Sequence, residues 1–281
     1  MKWDDLRRSS NVEDVRGTSS GGSIKGVGIG GLIIAVIAGL IFGVNPLQII
    51  GLLEGGNSGS TPQQQSEPIH DRDSDFVKAI LGDTEDTWTQ IFKQQLQRSY
   101  QPPKLVLFRN GVNSACGSAN TAVGPFYCPG DEKVYLDMTF FQQIQATAGS
   151  NADFAKAYAI AHEVGHHIQQ ELGISTQVAR LQQRSDRATA NDLSVRLELQ
   201  ADCLAGVWGH YTAQRQLINE QDIAGAMNTA AQIGDDYLQQ RSRGYVVPEA
   251  FTHGSSQQRV TWFTQGLKSG DIKQCDTFAA R

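Results

Sequence analysis

Apolar residues are distributed very unevenly along the chain. Residues 26–53 contain no ionisable side chain, and GVGIGGLIIAVIAGLIFGV, residues 26–44, is an almost continuous apolar run. At ~1.5 Å per residue, a helix of that length crosses most of a bilayer. We therefore expect one transmembrane helix over residues 24–50, with Asn45-Pro46 ending or bending it. Residues 1–23 are polar and read as a cytoplasmic N-terminal tail, residues 54–69 as a flexible linker without core-forming residues, and residues 70–281 as the globular domain.

Within that domain the apolar spacing is mostly helical. Phe76, Val77, Ile80, Leu81, Trp88, Ile91, Phe92 and Leu96 recur on the faces of a helix over 75–99, broken at Gly82 and stopped by Pro102-Pro103. Lys104–Arg109 reads as a buried strand, residues 110–124 as a Gly/Asn/Ser-rich loop, and Phe126–Cys128 and Lys133–Asp137 as strands joined by a turn. Further helices are expected over 138–148, 153–172, 176–187, 192–211, 220–241 and 255–268, with Asn151 as N-cap and Gly173 as stop for the second. The pattern is that of an α+β domain, mostly helical, with a small β-sheet.

Charge and cysteines narrow the setting. The net charge is −5 and no basic stripe is present, so nucleic acid is not expected as a partner. Lys2, Arg7, Arg8, Arg16 and Lys25 precede the apolar run, and the next basic residue is Arg72. The positive-inside rule then keeps the N-terminus in the cytoplasm and exports the domain to the periplasm or the extracellular side. A cleaved signal peptide fits less well, because the polar region is long and no A-x-A-like site follows. Gly39 and Gly43 form a G-x-x-x-G pair that offers a face for self-association of the span. Cys116, Cys128, Cys203 and Cys275 allow three pairings. The local bridge Cys116–Cys128 would pin the Gly-rich loop, leaving Cys203–Cys275 to tie the tail to a helix.

The candidate chemistry lies at residues 162–166, HEVGH. His162 and His166, four apart on a helix, point two imidazoles at one ion, and Glu163 sits beside them as a general base. A catalytic zinc uses a third protein ligand and keeps one open position. Glu198 is the best candidate, because it shares a helix face with Asp202 in a partly apolar stretch. Asp202 would then hydrogen-bond the far nitrogen of a ligating histidine. His167 points about 100° away and is expected behind the site or exposed. His210 and His70 have no supporting context.

HEVGHH, followed some thirty residues later by E-x-x-A-D, resembles the gluzincins, zinc peptidases with two histidines and a glutamate as ligands. MKWDDLRRSSNVEDVRG, the apolar span, LELQADCLAGVW and THGSSQQRVTWF extend the likeness over nearly the whole chain. Together they resemble the bacterial membrane-anchored neutral zinc metallopeptidases called YpfJ-like. The resemblance implies a zincin-like fold and a Zn2+ cofactor, with a peptide or protein as substrate. Thr252-His253 and Arg259 also resemble a motif of the prenyl-protein-type membrane endopeptidases, with Gly254 replacing that group's proline. By that likeness His253 stabilises an oxyanion and Arg259 supports it or holds the substrate.

The expected activity is peptide-bond hydrolysis by a zinc-activated water, with Glu163 as base and an edge strand, provisionally Lys133–Asp137, receiving the peptide. The alternative is a membrane-tethered zinc-binding scaffold without peptidase activity.

Overall fold

A computed structural model of the chain describes residues 1–17, 71–120, 124–148 and 152–279. The expected span over 24–50, the linker, His70 and the expected N-cap Asn151 lie outside the described residues. Among those described, no helix is long and apolar enough to cross a membrane.

A four-stranded sheet lines one side of the domain. It consists of β1 (Val12–Asp14), β2 (Lys104–Phe108), β5 (Phe126–Cys128) and β6 (Lys133–Asp137), in the order β1-β2-β6-β5. The first three strands in that order run parallel, and β5 is antiparallel to β6. Strands β2 and β6 are apolar along most of their length, as strands covered on both faces should be. Lys133–Asp137 is therefore an interior strand. The expectation of a free edge there is corrected: the edges are β1 and β5. The loop expected over 110–124 contains a hairpin of β3 (Gly111–Ser114) and β4 (Gly117–Asn120). Cys116 in its turn is bridged to Cys128 at the end of β5.

The helices are α1 (Arg72–Ile91), α2 (Met138–Ala148), α3 (Ala152–Glu171), α4 (Ile174–Gln182), α5 (Arg187–Gln214), α6 (Glu220–Gln232), α7 (Asp235–Arg243) and α8 (Ser256–Ser269). Helix α3 is buried over most of its length, against α5, β5 and β6. Two expectations change here. Helix α1 runs unbroken through Gly82, because this glycine serves a close approach and not a stop: a Cβ there would lie 2.5 Å from the Arg7 carbonyl oxygen. The helix expected over 220–241 divides at Gly234, where the chain turns so that Asp235 can reach the segment before α8.

Helices α5 and α8 pack backbone to backbone. A Cβ on Gly266 would sit 1.9 Å from the Cys203 carbonyl oxygen, so only glycine permits the contact. The Cys203–Cys275 bridge closes the same region, and its pairing agrees with the one left by the local bridge. Residues 1–17, expected as a separate tail, lie on the domain. Trp3 is buried edge-on against Phe76, and β1 adds to β2 in register Val12↔Leu105.

Candidate metal centre

The site is built on three helices. On α3, positions 158, 162 and 166 follow one another at four-residue spacing, so Tyr158, His162 and His166 share a face. Helix α5 crosses at Gly165, where a Cβ would meet the Ala201 backbone at 3.0–3.1 Å. That close crossing explains the glycine inside HEVGH and brings Glu198 to the two imidazoles. His162 Nε2 lies 3.2 Å from Glu198 Oε2, and His166 Nε2 lies 3.4 Å from Glu198 Oε1.

The three side chains fit a metal. One donor atom from each can be chosen so that all lie within 4.8 Å of one another. Ligands held tetrahedrally at ~2.0–2.1 Å from zinc stand about 3.3 Å apart, which matches the two contacts just given. Two imidazoles and one carboxylate form the donor set of a catalytic zinc site, with one position left over. Glu198, the carboxylate expected from the helix pattern, lies beside both imidazoles.

Asp202, fully buried one turn beyond Glu198, holds the site from behind. It accepts from His162 Nδ1 at 2.9 Å, from the Tyr158 hydroxyl, and from Arg259 Nε and Nη2 at 2.8 and 2.9 Å. With Nδ1 committed to Asp202, His162 would offer Nε2 to a metal in a fixed tautomer and orientation. His166 is oriented differently: Gln169 lies 2.9 Å from its Nδ1 and is itself tied to Gln200 and the Leu197 carbonyl.

Electrostatics follow from this crowding. Burial opposes the charge on His162, but Asp202 and Glu198 outweigh it and push its pKa up to about 10. Burial likewise works against ionised Glu198, yet the two imidazoles hold its carboxyl well below the ordinary range. A metal bound here would displace the imidazole protons. Glu163, on the same turn and largely buried, is lifted above the ordinary carboxylate range by burial, against the pull of His162 and His166.

His253 and Arg259 do not share one role. Arg259 pairs with Asp202, and only 3% of its surface is exposed. Its closest polar partner is Asp202, with the Tyr158 hydroxyl and the Ile233 carbonyl both at 3.4 Å, so it braces the carboxylate behind His162. His253 is held by Asp235, whose Oδ1 lies 3.1 Å from Nδ1 and whose Oδ2 accepts from the backbone N–H groups of Thr252, His253 and Gly254. Burial disfavours charge on His253, but Asp235 and Glu198 prevail and raise its pKa. Gly254 has φ +86°, which proline, fixed near −65°, cannot adopt.

Sequence reasoning missed Asp235 and Tyr158. Tyr158 stands four residues before His162, a signal that was present in the spacing. Asp235 had none, because its link to residues 252–254 is tertiary. His167 is neither exposed nor behind the metal site. It is buried, with Tyr127 of β5 at 3.2 Å and the Gln101 carbonyl at 2.6 Å, and so fixes α3 to the edge strand. His210 contacts the Leu267 carbonyl and Gln214, away from the site.

A helix-borne histidine pair, a glutamate from a later helix and a buried carboxylate behind the first histidine form a cluster that could hold one zinc ion. The chain belongs to the family described as "Putative neutral zinc metallopeptidase", whose model matches residues 1–278. It is 46% identical over 288 residues to a protein of Escherichia coli K12 named uncharacterized protein YpfJ, with 99% of each chain covered. It is 40% identical over 216 residues to uncharacterized protein Rv2575 of Mycobacterium tuberculosis H37Rv, covering 73% of this chain and 72% of that one. No solved structure matches.

Proposed function

We propose that the protein is a membrane-attached zinc metalloendopeptidase, with the apolar stretch over 24–50 as its attachment. The observation that carries the reading is the convergence of His162, His166 and Glu198 with Glu163 beside them. A site that served only to hold an ion would have no use for a second buried carboxylate that neither orients a ligand nor completes the donor set.

His162, His166 and Glu198 would hold the metal, and Asp202 and Gln169 would set the two imidazole orientations. When bound, zinc supplies Lewis acidity, which polarises a carbonyl and eases deprotonation of water. Glu163 takes the proton of the attacking water and passes it to the leaving amine. The upward shift of its carboxyl by burial suits a group that must both accept and return a proton. His253, with Nδ1 engaged by Asp235, keeps Nε2 to donate to the carbonyl oxygen as negative charge develops there. An extended peptide would add to β5, an edge strand of the sheet among the described residues, which packs against α3 and carries Tyr127.

The test is cleavage of an unfolded protein by the purified chain loaded with zinc. Glu163→Gln should keep one zinc per chain and lose ~10²–10⁴-fold in kcat, the range for a general acid–base group. A chelator should abolish wild-type cleavage. Unchanged cleavage by Glu163→Gln would refute the assignment. Zinc binding without cleavage of any peptide would favour the scaffold.

A further inference from the structure

The N-terminal segment bears on how the protein meets a membrane. Residues 1–17 are integrated into the domain at several points. Strand β1 pairs parallel with β2, and Asn11 O and Val15 N extend the ladder to Leu105 and Leu107. The Trp3 indole donates to Asp153 on α3. Ser9 and Asn11 both donate to Glu85 of α1, and Gly82 is bare to let the Arg7 carbonyl pass. At the end of the segment, Arg16 is buried between Asp14 and Asp71, with Nη1 2.6 Å from the Asp71 carboxylate. Asp71 is also the N-cap of α1.

Residues 16 and 71 flank the apolar stretch. One crossing of a bilayer would set them apart by ~30 Å of hydrocarbon. The 2.6 Å ion pair and a single crossing are therefore mutually exclusive. Two crossings do not fit either: the 28 residues from 26 to 53 that lack ionisable groups fall short of two spans of ~20 residues.

The basic residues that argued for a cytoplasmic tail have another employment. Arg7 pairs with Glu85 and Asp86, Arg8 with Asp75, and Arg16 with Asp14 and Asp71. They satisfy acids on the domain, so their number before the apolar run is not a reliable reading of orientation. The cysteines described are all bridged, which points to an oxidising compartment for the domain.

We infer that residues 1–17 and the catalytic domain lie on the same, oxidising side of the membrane, joined through β1–β2 and the Arg16–Asp71 pair. This placement replaces the single N-in crossing expected from the sequence. This holds whether or not the metal centre cleaves peptides.

The test uses the full chain in bacterial cells, with one cysteine introduced at exposed Ser10 or exposed Gln183. The native cysteines are all in disulfides, so a membrane-impermeant maleimide reads the new thiol. In spheroplasts, Ser10→Cys and Gln183→Cys should label to the same extent, with less than twofold gain on permeabilisation. Labelling of Gln183→Cys in intact spheroplasts, with Ser10→Cys labelled only after permeabilisation, would overturn the inference and restore the single crossing. Protection of both until permeabilisation would overturn the oxidising-side placement.

Discussion

Replacing Asp202 with asparagine separates metal orientation from structural support. Asp202 is fully buried and accepts from His162, Tyr158 and Arg259. Asparagine keeps the shape but offers one acceptor oxygen, and turns its amide donors towards groups that also donate. Arg259, 3% exposed, then loses its direct ion-pair partner, and breaking a buried pair costs ~3–5 kcal/mol. At about 2–4 °C per kcal/mol for a domain of this size, the metal-free melting temperature should fall by roughly 6–20 °C. Losing the acceptor behind a ligating histidine should also weaken zinc binding ~10–100-fold. A second variant distinguishes the two effects. Asp202→Asn with Arg259→Met removes the stranded cation, so much of the stability should return while zinc stays weakly bound. Calorimetry of the metal-free chains and competition with a chromophoric chelator give both numbers. Wild-type zinc affinity in folded Asp202→Asn would refute the role given to this carboxylate.

Three further outcomes follow from other parts of the structure. Asp235→Asn, which loosens His253 without touching the ligands, should lower kcat ~10²-fold and leave zinc affinity within about twofold; steady-state kinetics beside zinc titration checks this. Removing the Cys203–Cys275 bridge, which closes a 72-residue separation, should cost about 4 kcal/mol by the loop-entropy relation, read from denaturant unfolding of the Cys203→Ser, Cys275→Ser variant against the oxidised wild type. Acid should loosen residues 1–17. Asp75 is lowered by its bond to Arg8, Glu13 by Lys133 and Lys104 against partial burial, and Asp71 by Arg16 and Ser74 although burial opposes them. Depressed carboxylates stabilise the folded form above the ordinary range, and that stabilisation is lost as pH falls through their lowered values. Below about pH 4, tryptophan emission should therefore shift red as Trp3 becomes exposed, and the shift should be missing in Trp3→Phe.

The helix spacings behind the candidate metal centre were legible in the sequence because helical geometry is local. A spacing of four puts His162 above His166, and Glu198 above Asp202, whatever the rest of the fold does. The cysteine pairing followed from the same economy, with one short loop and one remainder. What escaped the sequence depends on tertiary approach. The pattern over 220–241 is amphipathic throughout, so nothing marks the turn at Gly234 that delivers Asp235 to His253. Val12–Asp14 is three residues long and polar at two positions, too little to announce a strand before β2 is there to receive it. Gly82 looked like a helix stop because a sequence does not show the Arg7 carbonyl passing over it. Lys133–Asp137 looked like any amphipathic strand, and only the docking of β5 made it interior.

The most direct test of the central claim is X-ray absorption at the zinc edge on the zinc-loaded protein and on Glu198→Ala. The wild-type spectrum should show two imidazoles and a shell of nitrogen and oxygen at ~2.0–2.1 Å with no sulfur, and Glu198→Ala should lose an oxygen ligand and bind zinc more weakly. A sulfur shell near ~2.3 Å, or a Glu198→Ala spectrum identical to wild type, would contradict the three-residue centre.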